Sequence, residues 1–138
     1  MKNQLFALIG LGLLLATASA YAQTGVVKAN IPFNFIVNKA DLPAGAYTLQ
    51  KLGVAGAAMV IESSDSKVVN GFLPNACESN KAPEVSKLVF HRYGSQYFLT
   101  QIWIAGDARG KELPQSGRER EVAMDYTPQD VVVVATLR

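Results

Sequence analysis

Two side chains in this sequence have the chemistry of a nucleophile and a base: Cys77, its only cysteine, and His91, its only histidine. A thiol becomes a nucleophile when an adjacent imidazole takes its proton and a third group orients that imidazole. Here Cys77 lies in a polar stretch and His91 among strand-forming aromatics, and no orienting third group stands at a recognisable spacing. The plain reading is a quiet, half-buried thiol and a strand histidine packed on Phe98. A zinc site needs about four ligands, or three and a water, and one Cys with one His cannot supply them. The sequence holds no phosphate-cradling glycine loop, calcium loop or metal-binding His pair. No catalytic, cofactor-binding or metal-ligating residue is therefore assigned, and the expectation is a chain that is not an enzyme.

Two further stretches carry chemistry of other kinds. Leu113-Pro114-Gln115-Ser116-Gly117 looks like a variant of a sortase sorting signal. Such a signal acts ahead of a membrane-spanning run, whereas Arg118-Glu119-Arg120-Glu121 follows at once, so the match is read as coincidence. On a helix, the alternating signs of Arg118 to Glu121 predict a solvated face laced by ion pairs. The alternative is a recognition face, joined by Arg92, Arg109 and Tyr97 if these lie nearby.

The N-terminus sets the compartment. Lys2 precedes an unbroken apolar or glycine run from Leu5 to Leu15, and Ala20-Tyr21-Ala22 puts small side chains where a signal peptidase reads them. That run is 11 residues long, against roughly 20 needed to span hydrocarbon. Residues 1–22 are expected to be a cleaved signal peptide, and 23–138 a single periplasmic or secreted domain. No cysteine follows the apolar run, so no lipid anchor is expected. One cysteine in an exported chain excludes an internal disulfide.

Removal of 22 of the 138 residues leaves 116, enough for one core. Without Lys2, twelve of the thirteen basic residues face eleven acidic ones, a net of +1. Such a balance exerts no long-range pull on nucleic acid or an anionic membrane.

The elements that would position these residues are strands. Val27 to Val37 alternates apolar and polar residues, which predicts one strand with a buried face. Pro32 places it at an edge or breaks it with a bulge. Asn38 to Gly45 reads as a turn, and further strands follow at 46–52, 57–61 and 68–73, with turns at 53–56 and 63–66. Asn75 to Ser86, which contains Cys77, reads as the longest polar connection and the most mobile segment. Lys87–Tyr93 and Gln96–Ile104 form the strongest pair, joined by a two-residue turn with glycine first, Gly94-Ser95. That register sets Arg92 against Tyr97, His91 against Phe98 and Phe90 against Leu99; a longer turn with Gly94 as a bulge residue would shift the pairing. Gly106 to Gly110 is another turn. Ser116 heads a helix at 117–124, with Glu119 at capping-box spacing. Val131 to Leu137 closes the chain as a strand inside the sheet. The sum is an all-β fold: an antiparallel β-sandwich or small barrel of about seven or eight strands with one short helix near 117–124.

Four blocks in this order carry a resemblance: Ala29-Asn30-Ile31-Pro32-Phe33, Leu42-Pro43-Ala44-Gly45-Ala46-Tyr47-Thr48, Lys87 to Gly94, and Glu112-Leu113-Pro114 with Arg118 to Glu121. Together they resemble a group of small exported bacterial proteins, multiplied within some genomes and of uncharacterised function. Similar chains often carry an acidic residue where Asn34 stands here, and many end soon after the Arg-Glu segment. The resemblance implies export and a β-rich fold, and it implies no activity and no site residue.

The expected function is a non-catalytic envelope or secreted domain that contacts another macromolecule or contributes structurally. The alternative is a binder of a small apolar ligand inside a barrel. No cofactor is expected. The partner would be an unknown envelope or extracellular macromolecule, not nucleic acid, and no membrane span would remain after cleavage.

Overall fold

The computed structural model describes residues 27–52 and 58–137. The signal peptide expected at 1–22 and the turn expected at 53–56 both lie outside the described residues. Eleven strands and one helix are described, and the sheet curls into a nearly closed barrel. The strands are β1 (Val27–Ile31), β2 (Phe35–Val37), β3 (Ala40–Leu42), β4 (Gly45–Leu52), β5 (Ala58–Ser63) and β6 (Val69–Phe72). They continue as β7 (Asn75–Glu78), β8 (Ser86–Tyr93), β9 (Gln96–Trp103), β10 (Arg109–Glu112) and β11 (Gln129–Leu137), with helix α1 (Gly117–Asp125) between the last two. Around the barrel the order is β3-β2-β9-β8-β11-β1-β4-β5-β6, and the β10–β7 ribbon branches from β9. Every pairing is antiparallel except β2 with β9.

The expected long strand at 27–37 is two strands. Pro32 has no N–H for a ladder, and the chain turns a corner there. β1 lies between β11 and β4, whereas β2 lies between β9 and β3. The Asn34 side chain holds the corner by accepting the Ala44 N–H at 2.9 Å. The alternation survives the break: Val27, Ala29, Ile31, Phe35 and Val37 all enter the core. The expected turn at 38–45 also contains β3, because Asn38 takes a left-handed φ of 57° and folds the chain back on β2.

The central hairpin has the expected register, with Arg92 opposite Tyr97, His91 opposite Phe98 and Phe90 opposite Leu99. Gly94 takes a φ of 61° at the first turn position, where a side chain would be strained. Beyond Phe90 a bulge intervenes, since Val89 faces Gln101 and leaves Thr100 unpaired. Thr100 repairs the ladder by donating from Oγ1 to the Val89 carbonyl at 2.9 Å and accepting the Leu113 N–H at 2.8 Å. The bulge splits the far edge of β9, which pairs with β2 at Phe98 and with β10 at Gln101 and Ile102.

Two further expectations are corrected. The polar connection at 75–86 contains β7, whose four residues pair with β10. β10 itself occupies the second half of the turn expected at 106–110. Both strands are short and polar, so neither shows a two-residue apolar period. β11 lies inside the sheet, between β8 and β1, as its valines predict.

The barrel interior is filled by side chains. Phe35, Tyr47, Phe90, Ile31, Leu49, Ile61, Leu88, Val27 and Val37 are fully buried there. Phe33 and Phe35 meet Phe90 edge-on, and Phe35 meets Tyr47 likewise. The Tyr47 hydroxyl donates to the Pro43 carbonyl at 2.6 Å, giving a buried polar group its partner.

Candidate functional site

Helix α1 lies on the outside of the barrel and brings together the polar groups that could do chemistry. Its apolar contribution is small: Val122 and Ala123 pack on Ile36, Tyr93 and Phe98. Ser116 caps the helix by accepting the Glu119 N–H at 3.2 Å. In a capping box the glutamate would return to the N-cap N–H. Here the Glu119 side chain turns to β8 instead. Its Oε2 accepts the Tyr93 hydroxyl at 2.8 Å and faces His91 Nδ1 at 3.1 Å. Glu119 is only 5% exposed, which corrects the expectation that Arg118 to Glu121 is wholly a solvated face. The reason is that β8 offers two partners, the Tyr93 hydroxyl and His91 Nδ1, to one carboxylate oxygen. A buried carboxylate is tolerable only when hydrogen-bonded.

The other ring nitrogen, His91 Nε2, faces Asp130 Oδ1 on β11 at 3.4 Å. The ring therefore stands between two carboxylates on opposite sides, with Tyr93 edge-on at 6.2 Å. Burial, and then the Glu119 hydrogen bond and charge, push the Tyr93 hydroxyl up to about 12, so it stays a neutral donor. Arg118 lies beside this cluster and binds both oxygens of Asp41 on β3, at 3.0 and 3.1 Å. Two polar side chains of α1, Glu119 and Arg118, and a small apolar patch thus pin the helix across β8 and β3.

Both His91 nitrogens face carboxylates, and Tyr93 donates to Glu119. The carboxylates lie on opposite sides of the imidazole, so they cannot converge on one ion. Among the described residues, no group of three or more His, Cys, Asp or Glu side chains could hold a metal.

The two candidates paired by type in the sequence are far apart in the fold. Cys77 is opposite Gly110 on β10, and β9 then separates it from β8. Three strand spacings make about 14 Å, and His91 lies a further four residues along, about 13 Å. Burial pushes the Cys77 thiol up, and Glu112 adds to this, the opposite of what a reactive thiolate needs. Leu113 of the sorting-like motif is buried in the core and Ser116 is the helix cap, which accounts for both residues structurally.

Sequence reasoning missed Asp41 and Asp130 as partners, and it missed the anchoring roles of Glu119 and Tyr93. Asp41 sits in a strand of three residues, too short to show a period. The spacing of Ser116 and Glu119 signals a cap correctly and conceals where the carboxylate goes.

Beside Arg118 runs an open groove of about 380 Å³, lined by Phe35, Ile36, Pro43, Ser95, Gln96 and Tyr97 among others. Gln96 Oε1 is buried there without a hydrogen-bond partner. Among the described residues, no helix is long and apolar enough to cross a membrane. No protein-family model, curated protein or solved structure matches this chain.

Proposed function

We propose that residues 23–138 form an exported, non-catalytic domain of the envelope or extracellular space that contacts another macromolecule or contributes structurally. One observation carries this reading: the barrel interior is occupied by its own aromatic and aliphatic side chains. Small barrels either fill with side chains or enclose a ligand, and the packing of Phe35, Tyr47 and Phe90 favours the first. The polar cluster of Glu119, His91, Tyr93 and Asp130 supports the same reading, because its groups engage each other. What remains for recognition is the outer surface and the edges of the sheet. Export rests on the Lys2, Leu5–Leu15 and Ala20-Tyr21-Ala22 pattern, and the resemblance to small exported bacterial proteins agrees with it.

The test is in-cell crosslinking and pulldown from the native envelope fraction, run beside a native mass measurement for retained ligand. A discrete crosslinked macromolecule and an unliganded mass are expected. A stoichiometric small apolar ligand would instead favour a carrier.

A further inference from the structure

The barrel does not close, and its seam has a shape and a chemistry of its own. β6 ends the strand order, and among the described residues no strand pairs with its outer edge. Its hydrogen-bonding parity follows from the start of the β5–β6 ladder. The Ser63 N–H donates to the Val68 carbonyl at 2.9 Å, and the register continues through Ile61 with Asn70 and Met59 with Phe72. In an antiparallel pair, alternate residues turn their N–H and C=O groups to the partner and away from it. Asn70 and Phe72 therefore face β5, while Val69 and Gly71 direct theirs into the seam. Among the described residues, those groups have no backbone partner.

Gly71 has no internal explanation. Its φ lies outside the left-handed region, and an added Cβ would meet nothing closer than the Met59 carbonyl at 3.8 Å. Glycine weakens a strand interior, and it marks places where another backbone comes close. Opposite β6 stand Leu113, Pro114 and Asn38, and together with Gly71, Phe72 and Leu73 they line a groove of about 320 Å³. None of these six residues is charged, and Leu73 is 71% exposed.

We propose that this seam takes an extended, uncharged segment of a partner polypeptide by strand addition. The segment pairs with the free N–H and C=O groups of Val69 and Gly71, and seats an apolar side chain between Leu73 and the Leu113–Pro114 wall. This deepens the interaction reading above and rests on it. The ladder supplies affinity and the groove supplies side-chain selection, as in other strand-addition sites. A second folded copy fits poorly. A stable dimer needs roughly 20–30 residues a side, and an edge strand of a folded copy brings its own sheet into a two-walled groove. A single extended segment meets neither obstacle.

The probe is a phage-displayed library of random peptides, selected on the intact mature protein. Selected peptides should alternate apolar residues and shift the amide resonances of residues 69–73. N-methylation at the residues that pair with β6 should weaken binding about tenfold per methyl group, and methylation at the intervening residues should not. Gly71→Pro removes one outward N–H from an edge strand and should weaken binding at least about tenfold while the melting curve stays put. Leu73→Asp, at an exposed position, should weaken binding with the fold intact. Peptides that bind elsewhere, or that ignore methylation, would overturn the inference and leave the interaction reading standing. Failure to select any peptide, or a dimer in sedimentation that Gly71→Pro dissolves, would also overturn it.

Discussion

Replacing Glu119 with alanine tests whether α1 is held to the barrel by one buried carboxylate. The substitution removes the 2.8 Å acceptor of the buried Tyr93 hydroxyl and leaves it only the Gln115 side chain nearby. An orphaned buried donor costs about 1–3 kcal/mol. Loss of the contact with His91 at 3.1 Å adds about 1 kcal/mol, since the imidazole is a third exposed. The one buried methylene lost, Cγ, adds roughly 0.8 kcal/mol. The total is about 3–5 kcal/mol, while the apolar grip of α1 comes from Val122 and Ala123 alone. The expected outcome is local: α1 undocks and the barrel persists. Hydrogen exchange of the amides of residues 117–125 should accelerate by two orders of magnitude or more, about 1.4 kcal/mol per tenfold. Amides of β8 and β9 away from Tyr93 should exchange much as before. Glu119→Gln keeps an acceptor for Tyr93 and should fall between the two. Unchanged exchange in α1 for Glu119→Ala would refute the anchoring role. Global unfolding would show that the helix is integral to the core.

Phe90→Ala removes a fully buried ring that meets Phe33 and Phe35 edge-on, and should cost roughly 3–5 kcal/mol in urea unfolding, most of the stability of a small domain. Gly110→Ala should cost about 1–3 kcal/mol, because the new Cβ would come within 2.6 Å of the buried Trp103 ring; an altered Trp103 emission spectrum would accompany the loss. In alkali, Tyr93 stays protonated up to about 12 in the folded state, whereas an unfolded tyrosine ionises near pH ~10. Its stabilising contribution is full below pH ~10 and is lost as the pH rises towards about 12, so the urea midpoint should fall across that window and fall less steeply in Tyr93→Phe. Burial moves Tyr47 and Cys77 in the same direction, so a residual slope should remain. Cys77→Ser should fold and sediment as the parent does; loss of a covalent dimer under non-reducing conditions would instead reveal an intermolecular bridge.

Long-period signals made most of the barrel legible. The alternation of Val27 to Val37 marked the core-facing residues of β1 and β2 but not the break at Pro32, while the Gly94-Ser95 turn and the valines of β11 located strands that exist. Gly94-Ser95 left two hairpin registers open, a two-residue turn or a longer one with Gly94 as a bulge residue; the structure has the first, with Arg92 opposite Tyr97 and Phe90 opposite Leu99. The Thr100 bulge was not readable, since it depends on the Leu113 N–H arriving from 13 residues away. β3, β7 and β10 escaped because three or four residues cannot display a period, and two of them are polar. Ser116 as N-cap was visible in local spacing. The partners of Glu119 were not, because they come from β8, 26 and 28 residues earlier. A carboxylate in an Arg-Glu-Arg-Glu run looks solvated until a second element is placed against it.

The central claim is that the barrel is filled by its own side chains and that recognition occurs on the outside. Native mass spectrometry of the protein taken from its own envelope or secreted fraction tests it most directly, without refolding or added ligand. The account predicts the mass of a chain beginning at Gln23, free of any small molecule, with further species only as complexes with a macromolecule. A chain that carries a stoichiometric small apolar molecule and releases it only on unfolding would contradict it.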